Sequence, residues 1–433
     1  MTDRHYRLFV LFIVSSFTFL TAQESRRGAL LPMVDSIIAA MPAGIATNEY
    51  RVPTPDQRSS IVSAVSQMLS MQYSAAAATA ATFGYRVVAL TDTVFPSRLY
   101  YMLLRQKDSL NHWGTIVIDP LPRRPSLILQ APHELFDTKT GAQTVYVFRQ
   151  IGARAFFLNG AHRCNDSAAS PCSGTTTACG VNAPFRISDQ AHTVTGMFQA
   201  GTEAVLQKEP QTVAVQLHGF GKDAGDPDVI MGNGTAAAPV GTDYLLQLKN
   251  ALLVLDSSLT FKVAHIDTAW TTLTGTTNTQ GKLINGSVSP CSTKSAAANG
   301  RFLHIEQAYA KLRDTKANWQ KMADALAMVF PAVPDGVHDV PVSVPLDALI
   351  VESYPNPFNP SCVVSFRALF SGTAVLTVYD ALGRRVRTLF EGAVDANRRY
   401  ERTFDASALG SGVYVVRLSS GGRVSTKKML LVK

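Results

Sequence analysis

The sequence predicts a three-layer α/β domain followed by a smaller all-β sandwich. In residues 121–330, short apolar runs of β type alternate with helix-like stretches, the pattern of a sheet covered by helices. In residues 353–433 the periodicity changes to two, in short runs separated by Gly, Asn, Asp and Ser. Residues 331–352 lie between these patterns and contain four prolines, so we interpret them as an extended linker.

Residues 1–22 have the composition of a targeting segment. Arg4 and Arg7 precede an uncharged apolar run at residues 8–20, and two small residues follow at 21–22. A run of this length is shorter than the roughly 20 residues that a membrane-spanning helix needs. The segment therefore predicts a cleaved signal peptide, with an uncleaved N-terminal anchor as the alternative. No later segment reaches about 18 unbroken apolar residues, so we expect no integral membrane span in the mature chain.

Residues 23–120 predict a helical and mixed segment that packs on the main domain. Apolar residues recur at helical spacing over residues 56–81, and β-type runs follow at residues 86–90 and 115–118. No residue of this segment suggests a chemical role. Within residues 121–330 the predicted strands are 127–130, 155–158, 212–217 and 261–264, and the predicted helical stretches are 201–208, 244–253 and 306–330.

The formal net charge of +8 does not indicate a nucleic-acid-binding protein. The excess of basic residues lies at the two ends, and residues 353–433 alone hold 12 Lys and Arg against five Asp and Glu. The intervening residues 23–352 carry equal numbers, 26 basic and 26 acidic. A neutral main body lacks the basic surface that tracks a phosphate backbone, so we expect no nucleic-acid partner.

Export makes the five cysteines candidates for disulfides. Four of them lie in loops rich in small polar residues, at Cys164, Cys172, Cys179 and Cys291, whereas Cys362 lies apart in the C-terminal region. We predict two bridges among the first four, and the sequence leaves all three pairings open. A zinc cluster of cysteines is the alternative, although the chain contains no C-x-x-C pair.

Polar side chains with metal-binding atoms follow several of the predicted strands. Ligands of open α/β sheets bind outside the carboxyl ends of the strands, so these positions mark an expected site. His133 follows one strand and has a carboxylate, Asp137, four residues later, while His218 directly follows another strand. Two imidazoles and one carboxylate form a common zinc site whose fourth position is open to water. We predict that His133, Asp137 and His218 bind Zn²⁺, with Glu134 as the alternative carboxylate, and that Gly219 lets a ligand approach the backbone.

A hydrolytic zinc site also needs a carboxylate that does not bind the metal and that carries the proton of the attacking water. We assign this role to Glu306. We assign binding of a substrate carboxylate to Arg163, whose planar guanidinium matches that group, with a salt bridge to Asp166 or Asp189 as the alternative. The remaining polar residues of this region are expected to orient the ligands or to contact substrate: His162, Asp189, His192 and His304.

The order of these motifs resembles the N-formylglutamate amidohydrolase and poly-gamma-glutamate hydrolase group. The resemblance covers residues 126–330 and rests on four motifs: Pro132-His133 with its downstream carboxylate, Asn159 with Arg163, Leu217-His218-Gly219, and Ile305-Glu306. It implies a fold of the zinc-carboxypeptidase or phosphorylase-like type, a Zn²⁺ cofactor, and a small peptide or acyl-amino acid as substrate. The chain departs from the pattern at Glu134-Leu135, where the formylglutamate enzymes have Ser-Gly, and in its Cys-rich insertion.

These features together predict a secreted zinc-dependent amidohydrolase or peptidase that cleaves an amide near a carboxylate. Two other classes of function fit the same residues. One is a surface binding or adhesive protein whose histidines are structural, and the other is a metal-dependent esterase or phosphatase. Metal content separates the hydrolase from the surface binding protein, because a structural zinc site is closed by four protein ligands whereas a catalytic site keeps a position for water.

The short strands of residues 353–433 predict an immunoglobulin-like sandwich of about seven strands. Four motifs in this region resemble, in order, the type A sorting domain of the type IX secretion system of Bacteroidetes. They are Ser353-Tyr-Pro-Asn-Pro-Phe-Asn-Pro360, Val378-Tyr-Asp-Ala-Leu-Gly-Arg384, Ser411-Gly-Val-Tyr-Val-Val-Arg417 and a terminal Lys-Lys-Met-Leu-Leu-Val-Lys. The resemblance implies the type IX machinery as partner and transport through the periplasm to the cell surface or the medium. An adhesive β-sandwich that stays attached to the main body is the alternative.

Overall fold

The computed structural model describes residues 24–333, 349–368, 372–395, 398–421 and 423–433. The predicted signal peptide and residues 334–348 of the predicted linker lie outside the described residues. Among the residues that are described, no helix has the length and apolar character needed to cross a membrane.

The main body, residues 24–333, begins with a short strand and a helix and then alternates between the two kinds of element. In chain order its elements are β1 (Glu24–Gly28), α1 (Leu30–Ala39), α2 (Pro55–Leu69), α3 (Tyr73–Ala81), β2 (Tyr85–Asp92), β3 (Arg98–Arg105), β4 (Thr115–Ile118), β5 (Arg124–Ala131), α4 (Thr140–Ile151), β6 (Ala153–Leu158), β7 (Thr175–Thr176), β8 (Ala183–Pro184), α5 (Met197–Lys208), β9 (Val213–Phe220), β10 (Val229–Gly232), α6 (Tyr244–Leu255), β11 (Phe261–Val263), α7 (Thr279–Ile284), β12 (Phe302–Ala308) and α8 (Lys316–Val329).

Ten of these strands form one mixed sheet in the order β1-β2-β3-β4-β6-β5-β9-β12-β10-β11. The four central strands, β6, β5, β9 and β12, are parallel to one another. Antiparallel strands flank them, since β4 pairs with β6 and β10 pairs with β12 in that sense. The small pair β7–β8 lies outside this sheet. The large α/β sheet predicted from the sequence is therefore confirmed, and four strands from residues 24–118 extend it.

Helices cover both faces of the sheet, which gives three layers. One buried apolar cluster contains residues of α1, α4, α6 and α8, and a second contains residues of α2, α3, α5 and α7. Strand β9 contributes to both, since Val213, Val215 and Leu217 face the first cluster and Ala214 faces the second. This alternation follows from the period-two geometry of a strand, and fully burying each large apolar side chain contributes roughly 1.5–3 kcal/mol.

Three expectations need correction. The predicted helix over residues 56–81 is two helices, α2 and α3, because the chain turns at Met71, which adopts a left-handed conformation with φ 59°. The boundary predicted between residues 120 and 121 falls inside the ten-stranded sheet. Glu306 does not begin the last helix but lies in β12, whose seven residues are all buried between β9 and β10. The helix α8 begins later, where the side chain of Thr315 caps it by accepting a hydrogen bond from the backbone N–H of Asn318.

Two disulfides crosslink the loops of the main body, as predicted. Cys164 pairs with Cys179 within the loop between β6 and α5. Cys172 pairs with Cys291, which joins that loop to the loop between α7 and β12. The remaining cysteine, Cys362, is a buried free thiol. The structure thus selects one of the three pairings that the sequence left open.

The C-terminal region forms two antiparallel sheets. Its strands are β13 (Ile350–Tyr354), β14 (Ser361–Arg367), β15 (Gly372–Asp380), β16 (Arg385–Val394), β17 (Arg399–Asp405), β18 (Gly412–Ser420) and β19 (Arg423–Leu431). One sheet has the order β13-β14-β17 and the other has the order β16-β15-β18-β19. Residues of both sheets share one buried cluster, which includes Val364, Phe366, Val378 and Val416. The all-β region expected from the sequence is confirmed.

Candidate metal centre

Histidines and carboxylates gather at the carboxyl ends of the central parallel strands. The chain leaves β5 toward β6 on one side and leaves β9 toward β10 on the other. Loops that depart in opposite directions open a crevice between two neighbouring strands, which is where ligands bind in open α/β sheets. His133 lies just beyond the end of β5, and His218 lies near the end of β9. The topology therefore brings together two histidines that are 85 residues apart in the chain.

His133, Asp137 and His218 converge on one point. Nδ1 of His133 and Nδ1 of His218 are 3.2 Å apart. Oδ2 of Asp137 lies 3.5 Å from the first nitrogen and 3.3 Å from the second. Ligand atoms at about 2.0–2.1 Å from a tetrahedral Zn²⁺ are separated by about 3.3–3.4 Å, so this spacing matches that of three zinc ligands. All three side chains are buried.

A tight turn after β5 sets the position of Asp137. The backbone N–H groups of Phe136 and Asp137 both donate to the carbonyl oxygen of His133, which folds the chain back on itself. The Asp137 carboxylate therefore faces the ring of His133. Burial disfavours its charge, yet the hydrogen bonds and charges of His133 and His218 hold the pKa of this carboxyl below its ordinary value.

Glu134, the alternative carboxylate, faces away from this point. It accepts hydrogen bonds from the backbone N–H groups of Lys139 and Gly141 and so caps the start of α4. Burial raises the pKa of Glu134 to about 7, although these hydrogen bonds oppose the shift. Of the two carboxylates, only Asp137 lies within reach of both imidazoles.

Asp189 lies behind His133 and connects it to other side chains. Its Oδ1 atom is 2.8 Å from Nε2 of His133 and 2.9 Å from Nδ1 of His192. Its Oδ2 atom accepts from Nε and Nη2 of Arg163. The positive charge of Arg163 and the two imidazoles hold the pKa of Asp189 well below its ordinary value in spite of burial. Asp166 and Asp189 were the two salt-bridge partners suggested as alternatives for Arg163, and the structure contains the salt bridge to Asp189.

Glu306 and His304 lie on the adjacent strand β12, on the same face as His218. Glu306 is directly opposite His218 in the parallel pairing of β12 and β9. Its Oε1 atom is 4.0 Å from Nδ1 of His218 and 3.7 Å from Nε2 of His304. Burial and the charge of Asp137 raise the pKa of Glu306 well above its ordinary value. Among the described residues, Oε2 of Glu306 and Nδ1 of His304 are buried atoms without a hydrogen-bond partner.

Two further predicted residues lie at the margin of the cluster. Nδ1 of His162 accepts a hydrogen bond from the backbone N–H of Cys164, and its ring contacts Phe136. His192 stacks on Phe185, and its Nε2 atom is 3.1 Å from the hydroxyl of Thr277. Phe136 is 44% exposed, so it offers an accessible apolar side chain beside these groups.

The expectation that a ligand approaches the backbone at Gly219 is wrong. A Cβ at this position would meet the guanidinium of Arg313 at 2.2 Å, so Arg313 occupies the space beside the glycine. Arg313 donates to the backbone carbonyls of Gln307, Thr138 and Phe220 and thereby holds three segments together. Sequence reasoning missed Arg313, because it follows an irregular turn after β12 and no motif marks it.

Three groups of histidines and carboxylates among the described residues have ligand atoms within 4.8 Å of one another. They are His133 with Asp137 and His218, His133 with Asp189 and His192, and His218 with His304 and Glu306. In the first group, each pair of atoms is separated by the distance expected between zinc ligands. The other two groups share a histidine with the first and surround it.

Comparison with known proteins informs mainly the C-terminal region. No curated protein matches the chain. Among solved structures, a β-glucosidase from Erythrobacter marinus aligns over 72% of this chain and 47% of its own, at 12% identity and a TM-score of 0.15. The chain spans about half the length of that structure, and a likeness at this TM-score supports no inference about fold. Residues 352–433 match the family described as the secretion system C-terminal sorting domain. The C-terminal region is therefore a type IX sorting domain, and the protein is secreted to the cell surface or the medium.

Proposed function

We propose that the main body is a zinc-dependent hydrolase that cleaves an amide near a carboxylate outside the cell. The observation that carries the proposal is the convergence of two Nδ1 atoms and one carboxylate oxygen at 3.2–3.5 Å from one another. This spacing fits three protein ligands of one cation, and the set of two histidines and one carboxylate is common in catalytic zinc sites.

The surroundings of this point also suit a cation. Two imidazole nitrogens and one carboxylate oxygen direct their lone pairs to the same point, and a positive charge at that point stabilises them. Burial and Arg163 lower the pKa of His133, but the charges and hydrogen bonds of Asp189 and Asp137 outweigh them and raise it. A metal bound to Nδ1 of His133 would need that nitrogen without a proton, because metal ligands must be deprotonated. Asp189 would then keep Nε2 of His133 protonated and its ring in place.

A bound Zn²⁺ would lower the pKa of a coordinated water and polarise the substrate carbonyl. Glu306 would be the residue that accepts and returns a proton, since its Oε1 atom is 4.0 Å from Nδ1 of His218 and its Oε2 atom has no hydrogen-bond partner among the described residues. Burial and the charge of Asp137 raise the pKa of Glu306, so its carboxylate is a stronger base than that of an exposed glutamate. His304, 3.7 Å away, limits the orientations of Glu306.

Arg163 defines the substrate class in this proposal. Asp189 accepts from Nε and Nη2 of Arg163, which fixes the plane of the guanidinium, and this pair does not use Nη1. The guanidinium also lies 5.4 Å from the ring centre of Phe136. A fixed guanidinium beside an accessible ring suits a substrate with a carboxylate and a short apolar part, such as an acyl-amino acid or a small peptide.

The proposal is tested by metal analysis and hydrolysis with one preparation of the secreted protein. We expect about one Zn²⁺ per chain and release of amine from N-acyl-glutamate or a short glutamyl peptide. Removal of the metal with a chelator should abolish the release, and added Zn²⁺ should restore it. An N-acyl-glutamate diamide, which has no carboxylate, serves as the control substrate and should react slowly. Protein that takes up no metal, or that binds metal and hydrolyses nothing, would instead support a surface binding protein.

A further inference from the structure

A row of buried amide side chains lies beneath the candidate metal centre. Gln216 precedes His218 by two residues in β9, so both side chains are on the same face of the sheet. Oε1 of Gln216 is 2.8 Å from Nε2 of His218. Nε2 of Gln216 lies 2.9 Å from Oε1 of Gln130 and 3.1 Å from Oε1 of Gln280. All three glutamines are completely buried, so their amide groups make hydrogen bonds with one another in place of the hydrogen bonds that they would make with water.

The outer members of this network fix which atom of Gln216 faces His218. The hydroxyl of Thr202 donates to the carbonyl of Phe198, so it accepts from Nε2 of Gln130. Oε1 of Gln130 is consequently the atom that faces Gln216. Nε2 of Gln280 donates to the carbonyl of Gln190 and to a side-chain oxygen, which likewise turns its Oε1 toward Gln216.

Gln216 must therefore donate through its nitrogen to two acceptors and present its oxygen to the other side. There the oxygen accepts from Nδ2 of Asn278 at 2.5 Å and faces Nε2 of His218. This acceptor stabilises the neutral ring with its proton on Nε2, against the alternative form in which Nδ1 holds the proton and donates to Asp137 at 3.3 Å. In the Nε2–H form, the lone pair of Nδ1 points to Asp137 and His133.

We infer that Gln216 is a positioning residue, which fixes the tautomer and ring orientation of His218 so that Nδ1 is ready to bind a metal. The inference rests on the proposed function and adds to it a role for a residue that touches neither metal nor substrate. It also gives the two histidines different supports, a carboxylate for His133 and an amide network for His218. Hydrogen-bond partners of this kind typically change metal affinity by about 10–100-fold when they are removed.

The test compares two substitutions in the same network, Gln216→Met and Gln280→Met. Both remove a fully buried amide, but only the first removes the acceptor of His218. Zn²⁺ affinity is measured on the full secreted chain by competition with a chromophoric chelator. We expect Gln216→Met to bind Zn²⁺ about 10–100-fold more weakly than wild type. Gln280→Met should stay within about threefold, and Gln216→Glu, which keeps an oxygen facing His218, should retain affinity even where its melting temperature falls.

The outcomes separate this inference from the proposed function. Wild-type affinity in Gln216→Met, or an equal loss in Gln280→Met, would overturn the role of Gln216 and leave the metal centre intact. Wild-type protein that takes up no Zn²⁺ would overturn both. A measurement on wild type covers the case in which Gln216→Met does not fold. The ¹⁵N shifts of His218 in metal-free protein, identified by their loss in His218→Gln, should report the Nε2–H tautomer, and the Nδ1–H tautomer would refute the inference.

Discussion

The two disulfides differ strongly in the length of chain that they close, and this predicts unequal contributions to stability. The sequence separation is 15 residues for Cys164–Cys179 and 119 residues for Cys172–Cys291. In the chain-entropy model, closing these loops in the unfolded state stabilises the fold by about 3.0 and about 4.9 kcal/mol, respectively. Replacing Cys172 and Cys291 by alanine should therefore lower the free energy of unfolding by about 2 kcal/mol more than replacing the other pair.

The chain offers a matched comparison and a selective probe. Each pair consists of one buried and one partly exposed cysteine, so the two double substitutions remove similar side-chain contacts. All three tryptophans lie in residues 24–333, at Trp113, Trp270 and Trp319, so their fluorescence follows the main body and not the sorting domain. With an m-value of about 3 kcal/mol/M, the urea midpoints of the two variants should differ by about 0.7 M. Equal midpoints, or a lower midpoint without Cys164–Cys179, would refute the loop-length argument.

The remaining predictions concern the candidate centre and export. His218→Ala should lose both metal and activity, and added Zn²⁺ should restore part of the activity. Glu306→Gln should keep its metal while turnover falls roughly 100-fold or more. Loss of metal from Glu306→Gln would instead show that Glu306 is a metal ligand. Asp137→Asn should lose Zn²⁺ in metal analysis and Glu134→Gln should keep it, because only Asp137 lies near both imidazoles; the reverse result would exchange their roles. Deletion of residues 353–433 should leave a folded main body in the periplasm, and normal surface levels in cell fractionation would contradict a sorting role.

Much of the site region was predictable from the sequence because it depends on one topological rule. The carboxyl ends of parallel strands meet at one edge, so histidines that follow apolar runs are expected to be neighbours. His133, Asp137 and His218 do lie within 3.5 Å of one another. The turn that brings Asp137 and not Glu134 to the two imidazoles was harder to predict from the sequence, because it depends on hydrogen bonds between the His133 carbonyl and two backbone N–H groups.

Other features depend on long-range packing that no local pattern encodes. The segment from Phe302 to Ala308 contains His, Glu and Gln among apolar residues, which suggested the start of a helix. It is a strand because it lies between β9 and β10, where both of its faces are buried. The pairing of Cys172 with Cys291 is another such feature, since it joins two loops whose cysteines are 119 residues apart in the chain. Gln216 carried a weak signal, a polar residue inside an apolar strand two positions before His218.

The position of β12 also determines when the centre can exist during biosynthesis. This strand is the last strand of the main body in chain order, yet it lies between two strands that precede it in the chain, β9 and β10. A nascent or partly exported chain that stops before residue 302 has a gap in the middle of its sheet, with Glu306 and His304 missing. The addition of Glu306 and His304 to the three ligand residues is therefore a late event that waits for almost the whole main body.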